Sequence, residues 1–153
     1  MPSQNPSQPL HEETFFLPQC ELCVIHSSLQ PDEISKILDL ASTSSVRIGE
    51  STGGVIARRS IWVLHSLDSI GTQNLEDHLD WLVSKLSSKR STVKTLKKTG
   101  ALIELHILID TWNRFEQIKI PAKIITTLGQ LGIGIDVHVV IHEDRREFYD
   151  YVD

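Results

Sequence analysis

Hydrophobic and polar residues repeat along this chain with two different periods, and the periods predict strands and helices in turn. Residues 21–26, 102–110 and 135–141 carry apolar side chains at every second position or in short β-branched runs, which is typical of strands. Residues 31–40 and 121–131 repeat apolar side chains every three or four positions and begin with proline, which is typical of helices. Strands and helices therefore alternate through most of the chain.

The middle of the chain predicts a strand pair followed by a long helix. Residues 45–49 and 55–66 have strand propensity and are joined around two glycines at 53–54, a pair that permits the positive φ of a hairpin turn. The helix that follows is capped by Asn74 and ends near Gly100. Serines within this helix predict a bend or a break.

The order of elements, β-α-β-β-α-β followed by α-β, predicts an α+β fold. Its first six elements match a ferredoxin-like plait, an antiparallel sheet with helices on one face, and the added α-β unit would extend a mainly antiparallel sheet by one strand. A chain of 153 residues fits a single domain. We expect this domain at residues 15–153, after a disordered tail at 1–14 that begins with a stretch rich in proline and serine.

Composition and charge argue against several classes of function. No apolar run approaches the roughly 20 residues of a membrane helix, no export signal is visible at the start, and two cysteines suit a reducing compartment. A net charge of −5 argues against a dedicated nucleic-acid binder. No nucleophile elbow, phosphate loop or metalloprotease motif is present. We expect a cytoplasmic, non-enzymatic protein that has no cofactor and binds neither membranes nor nucleic acid.

Histidine is frequent for a chain of this length, with seven residues. Alternation places the imidazoles of the last two predicted strands beside carboxylates, on the polar sides of these strands. If the two strands are neighbours, the polar sides form one sheet face, which His65 joins if Trp62 faces the helices. The candidate ligand-binding residues are His65, Glu104, His106, His138 and His142.

Two interpretations of these histidines stay open. Imidazoles beside carboxylates can bind zinc or exchange protons, and a sheet face exposed to water can also carry such residues without any binding role. Cys20, Cys23 and His26 show C-x-x-C-x-x-H spacing. Strand residues at this spacing alternate between faces, which favours inert thiols over a zinc or redox site.

A basic segment between residues 85 and 98 also has two interpretations. It contains no acid and consists of Lys85, Lys89, Arg90, Lys94, Lys97 and Lys98 among polar and apolar residues. Such a segment can dock an acidic partner or a phosphate. It can also complement the macrodipole at the end of a helix, which is the interpretation that we favour.

Four segments together resemble a bacterial family of small proteins, domain of unknown function family 4279. They are the Pro31-Asp-Glu-Ile-Ser-Lys-Ile-Leu element, the Ser60-Ile-Trp-Val-Leu-His-Ser66 strand, the helix from Leu75 to Leu86, and the ending from Leu128 to Val140. The resemblance covers about residues 20–143 and implies no established activity, so no catalytic residue is carried over. Some members are thought to lie near toxin systems, which implies an immunity or inhibitor role.

These observations favour a non-enzymatic protein-interaction module, immunity- or inhibitor-like, that binds a protein partner through the open sheet face or the acidic surface. The alternative is a small-molecule or zinc-binding domain built on the histidine and glutamate cluster. A third interpretation is a homodimer that forms through the last strand or through residues 143–153.

Overall fold

The computed structural model describes residues 16–111 and 117–142. The predicted tail at 1–14 and the C-terminal segment at 143–153 lie outside the described residues. None of the helices within the described ranges is long and apolar enough to cross a membrane.

The described chain contains four helices and seven strands, which confirms the α+β class. The helices are α1 (Pro31–Leu38), α2 (Leu75–Leu86), α3 (Arg90–Lys98) and α4 (Ala122–Leu131). The strands are β1 (Phe16–His26), β2 (Ser44–Val46), β3 (Ser51–Thr52), β4 (Val55–Ile56), β5 (Ser60–His65), β6 (Leu102–Thr111) and β7 (Gly134–Ile141).

Five strands form one mainly antiparallel sheet in the order β2-β5-β1-β6-β7. The central strand β1 pairs antiparallel with β5 and β6, and β2 pairs antiparallel with β5. Only β6 and β7 are parallel, because a helical crossover through α4 joins them. The added α-β unit therefore extends the sheet by one strand, as predicted.

A proline lies within the central strand, where a missing N–H would ordinarily break the ladder. The pairing of β5 with β1 covers only Glu21–His26, so Pro18 pairs with β6 alone. The N–H of Cys20 points to the β5 side and donates to Ser66 Oγ at 2.9 Å. The nitrogen of Pro18, two residues earlier, points to the same side, where no strand is paired with it. This explains why β1 is longer than the predicted strand at 21–26.

One apolar core lies between the helices and one face of the sheet. It contains buried residues from all four helices together with alternate residues of β1, β5 and β6. All four helices therefore cover the same face. Trp62 is fully buried in this core, and its indole N–H donates to Ser35 Oγ at 2.8 Å, which satisfies the buried donor. The opposite face of the sheet, which we call the open face, is not covered by any described helix.

The predicted strand at 55–66 is divided in the structure. Gly53 and Gly54 have φ angles of 58° and 82°, which confirms the turn, but this turn joins β3 and β4 in a separate small sheet. Val55 and Ile56 are 71% and 65% exposed. Since these side chains bury little apolar surface, no core contact holds them in the main sheet, and β5 starts only at Ser60.

His78 is buried in a polar network below the sheet, on the helical side. Its Nδ1 accepts the Ser66 hydroxyl at 2.7 Å, and its Nε2–H donates to the Thr72 carbonyl at 2.9 Å. The Ser66 oxygen in turn accepts the Cys20 N–H. Both ring nitrogens have partners, as burial requires, so this histidine ties α2 to the sheet.

Candidate functional site

All the residues that the sequence predicted for a ligand site lie on the open face, and among them His106 contacts both Glu104 and His138. Trp62 and Leu64 are buried against the helices, so His65, which follows them with the opposite orientation in β5, points to the open face. Residues of β6 and β7 that stand opposite each other share a face, because the two strands are paired in register. The side chains so assembled are His65, Glu104, His106, His138 and His142.

The strand register also places a residue that the sequence analysis missed at the centre of this face. Glu21 in β1 stands opposite His65 on one side and His106 on the other. Asp136 continues the same row on β7. The sequence did not indicate a role for this single acid in the apolar run of β1, because the residues beside it in the sheet come from strands that are distant in sequence. Alternation relative to Leu22 was the only available indication.

Each of the four imidazoles on the open face contacts a carboxylate. The distances are 2.9 Å from His65 Nδ1 to Glu21 Oε1, 3.5 Å from His106 Nε2 to Glu104 Oε2, 3.2 Å from His138 Nε2 to Asp136 Oδ2, and 3.3 Å from His142 Nε2 to Asp110 Oδ1. The rings of His106 and His138 lie edge to face, with centroids 5.6 Å apart. The Glu21 side chain is 17% exposed and that of Asp136 is 57% exposed, so water screens the pairs least near β1.

The strands of the open face carry carboxylates and imidazoles but no Lys or Arg side chain on this side. Four carboxylates point to this side, and none of the strand residues that share their face is Lys or Arg. Half-buried aliphatic side chains lie between them, namely Leu17, Ile25, Val46, Ile61, Val63 and Leu108. With neutral imidazoles, the face thus presents up to four negative charges on a partly apolar surface.

His26 does not join this face. Cys23 and Ile25 point to the open face, so His26 points to the helical side and is 2% exposed. Its Nδ1 accepts the backbone N–H groups of Ser28 and Leu29 at 3.0 and 2.9 Å. The ring therefore closes the turn after β1 and has a structural role.

The two cysteines lie on opposite faces of β1, as the spacing predicted. Both are free and buried. Burial, and to a smaller extent the charge of Glu21, raises the pKa of the Cys20 thiol to about 12. Burial, together with Glu21 and Glu104, raises the pKa of Cys23 to about 11. Both thiols therefore stay protonated at neutral pH and are poor nucleophiles.

The basic segment is divided between two helices, because the long predicted helix breaks at 87–89. Lys89 reaches Asp39 at 3.6 Å, and Lys85 lies over the ring of Trp81, 5.3 Å from its centroid. Lys97 and Lys98 occupy the last turn of α3, as the macrodipole favours.

Raising the pH tests the environment of the two thiols. Their folded pKa values lie above the ordinary value of 9.0, so the stability they contribute is complete below about pH 9. It is lost as the pH rises from there towards 11 and 12, by about 1.4 kcal/mol for each pKa unit of difference. Urea unfolding near pH 7.5 and pH 10.5 should show a smaller loss of stability in the Cys20→Ala/Cys23→Ala variant. Equal losses of unfolding free energy in the wild type and the variant would contradict the raised pKa values of the two thiols.

A zinc titration tests the metal-site alternative. Among residues 16–111 and 117–142, no three His, Cys, Asp or Glu side chains are grouped so as to hold a metal ion. We therefore expect calorimetry to show no micromolar Zn²⁺ binding that depends on His106 and His138. Micromolar binding that is lost in the His106→Ala/His138→Ala variant would establish the zinc site instead.

Comparisons with known proteins agree with the resemblance found in the sequence. A search of curated proteins found no significant match, and a search of solved structures found none. The family model described as "Domain of unknown function (DUF4279)" matches residues 13–142. This match spans most of the 153 residues. The chain therefore belongs to the DUF4279 family.

Proposed function

We propose that this chain is a non-enzymatic protein-interaction module, inhibitor- or immunity-like, whose open face binds the basic surface of a partner protein. The observation that carries the proposal is the charge of this face, which has four carboxylates and no Lys or Arg in its strands. Complementary charge attracts a basic partner and discriminates against acidic ones. A cytoplasmic location and the lack of a nucleic-acid partner stay predictions.

The size of the open face is compatible with specific binding. Five strands spaced by about 4.8 Å, each rising about 3.3 Å per residue, give a surface of roughly 20 by 25 Å. This is about 500 Å², against about 800 Å² that each partner buries in a standard interface. Loops around the face would supply the rest. The aliphatic side chains between the carboxylates would contribute hydrophobic burial, and the carboxylates would contribute selectivity.

We also propose that β1, α1, β2, β5, α2 and β6 form a ferredoxin-like plait. The strand order β2-β5-β1-β6 and the antiparallel pairing within it support this arrangement. In such a plait one sheet face carries the helices and the other is left for binding. The plait would therefore provide the rigid frame of the interaction surface.

Binding of an arginine-rich peptide tests the role of the open face. Calorimetry on the wild type and on the Glu21→Gln/Glu104→Gln variant should show about tenfold weaker binding by the variant, since two carboxylates that face the peptide lose their charge. Added salt should weaken binding by the wild type more than binding by the variant.

Asp39→Asn provides a control for this experiment. Asp39 is also acidic, its side chain is 97% exposed, and it follows α1 on the helical side. Asparagine tolerates its left-handed backbone, with a φ of 50°. This variant should bind the peptide within about twofold of the wild type. If this single change weakened binding by about half the free-energy effect of the double change, the peptide would respond only to total charge, and the proposal would fail.

Self-association through β7 is a second candidate, favoured by the exposed edge of this strand. β7 spans eight residues without Lys or Pro, which are the residues that usually protect an edge. Val137, Val139, Val140 and Ile141 are 39%, 43%, 51% and 42% exposed. At the other edge of the sheet, β2 has only three residues, which limits pairing there.

The backbone and the charges of β7 are compatible with a second copy of the same strand. The N–H of His142 points to β6 and donates to Thr111, so alternation turns the N–H and C=O groups of Ile135, Val137 and Val139 to the outer edge. An antiparallel pair centred on Val137 would place Asp136 of each copy opposite His138 of the other. This register gives two acid–imidazole contacts and one continuous ten-stranded sheet.

Sedimentation at several concentrations tests this dimer. Val139→Lys should shift the protein towards the monomer, because a charged side chain at the edge opposes strand pairing. Val55→Lys, on the separate hairpin, is the matched control and should leave the distribution unchanged. A wild-type protein that stays monomeric at the highest concentrations would contradict the second candidate without affecting the first.

A further inference from the structure

A basic groove lies between α3 and the end of α4, away from the open face. Its volume is about 450 Å³, within the roughly 300–1,000 Å³ of small-molecule sites. Four of its lining residues are cationic, namely Arg90, Lys94, Lys97 and Lys98, and none is acidic. Gly129, Gln130, Leu131 and Gly132 form the other wall.

None of these four cations has an acidic partner in the part of the chain that the structure describes. Arg47, Lys89 and Lys123 each contact a carboxylate. No such contact joins any of the four to a described acid. Four like charges around one groove repel each other, which opposes their grouping unless an anion binds there.

The macrodipoles explain only part of this cluster. The Lys97 ammonium donates to the Gly132 carbonyl at the end of α4, where the macrodipole supplies about half a negative charge. One lysine is enough to complement it. Arg90 lies in the first turn of α3, where the macrodipole disfavours a cation and where no acid is present. Lys97 and Lys98 therefore have an explanation in helix stability, whereas Arg90 and Lys94 have none.

We propose that the groove is a binding site for a compact polyphosphate, a small molecule that carries several phosphate groups. Lysine ammonium groups bind phosphate as point charges, and the Arg90 guanidinium can bind phosphate oxygens in pairs. Several phosphates close together match the density of positive charge better than a single anion does. The limited volume of the groove favours a small ligand over an extended acidic chain.

Titration with inorganic tripolyphosphate, followed by calorimetry, tests this site. We expect one equivalent to bind the wild type and the affinity to fall at least about tenfold in Lys94→Gln/Lys98→Gln. The control, Lys36→Gln/Lys119→Gln, removes two exposed lysines outside the groove and should stay within about twofold of the wild type. Equal losses in both variants, or no saturable binding, would overturn the proposal.

Gly129 allows a sharper test, because it lies in the last turn of α4 and a Cβ atom there would meet no atom within 4 Å. Gly129→Glu would place a carboxylate at the groove, and Gly129→Gln is its neutral match. We expect Gly129→Glu to bind tripolyphosphate more weakly and to unfold at a higher temperature than Gly129→Gln. The macrodipole alone predicts a lower unfolding temperature for the acid at this end of the helix. A lower unfolding temperature for Gly129→Glu than for Gly129→Gln, together with equal affinities of the two variants for tripolyphosphate, would overturn the proposal.

An acidic peptide separates the small ligand from a protein segment. A peptide of aspartate and glutamate with the charge of tripolyphosphate should bind more weakly, and its binding should not depend on Lys94 and Lys98. Equal or tighter binding of the peptide through these two lysines would show that the groove docks an acidic protein instead, and the polyphosphate proposal would fail.

Discussion

Alternation of side chains along the central strand is the constraint on which the rest of this structure depends. In β1, one set of alternate residues enters the core, and the other set faces away from all described helices. Register with β5 and β6 extends the same division across the sheet. A slip of one residue would exchange the two faces, burying carboxylates and exposing aliphatic side chains, so core packing fixes the position of every polar residue on the open face.

The same division separates two surfaces of opposite charge. The open face is acidic and half apolar, whereas the groove between α3 and α4 is basic. Like charges on one surface repel each other and lower the stability of the fold. Selection for stability alone would therefore disfavour this separation of charge. It suits a protein that holds two chemically different partners at distant places. The interaction role proposed for the sheet does not depend on the groove, and neither proposal needs a catalytic residue.

Local pattern was sufficient to predict most of the fold. The periods of apolar residues predicted the helices and the long strands, and the polarity of β6 and β7 predicted which histidines share a face. The sequence did not predict the first half of β1, because proline disfavours a central strand. Pro18 is accommodated only because the pairing with β5 does not extend that far. Glu21 was missed since its contacts cross three strands that are distant in sequence. The sequence did not predict the groove for the same reason. It shows the basic residues of α3, but it does not show that the end of α4 lies opposite them.

The proposed interaction role depends on the open face, and not the helical layer, binding the basic protein partner. Amide chemical shifts of the ¹⁵N-labelled protein, recorded during titration with an arginine-rich peptide, test this claim most directly. We predict changes at Glu21, His65, Glu104 and His106 and their strand neighbours, with α1 and α2 unaffected. Changes confined to the helices, or scattered over the whole surface, would contradict the account.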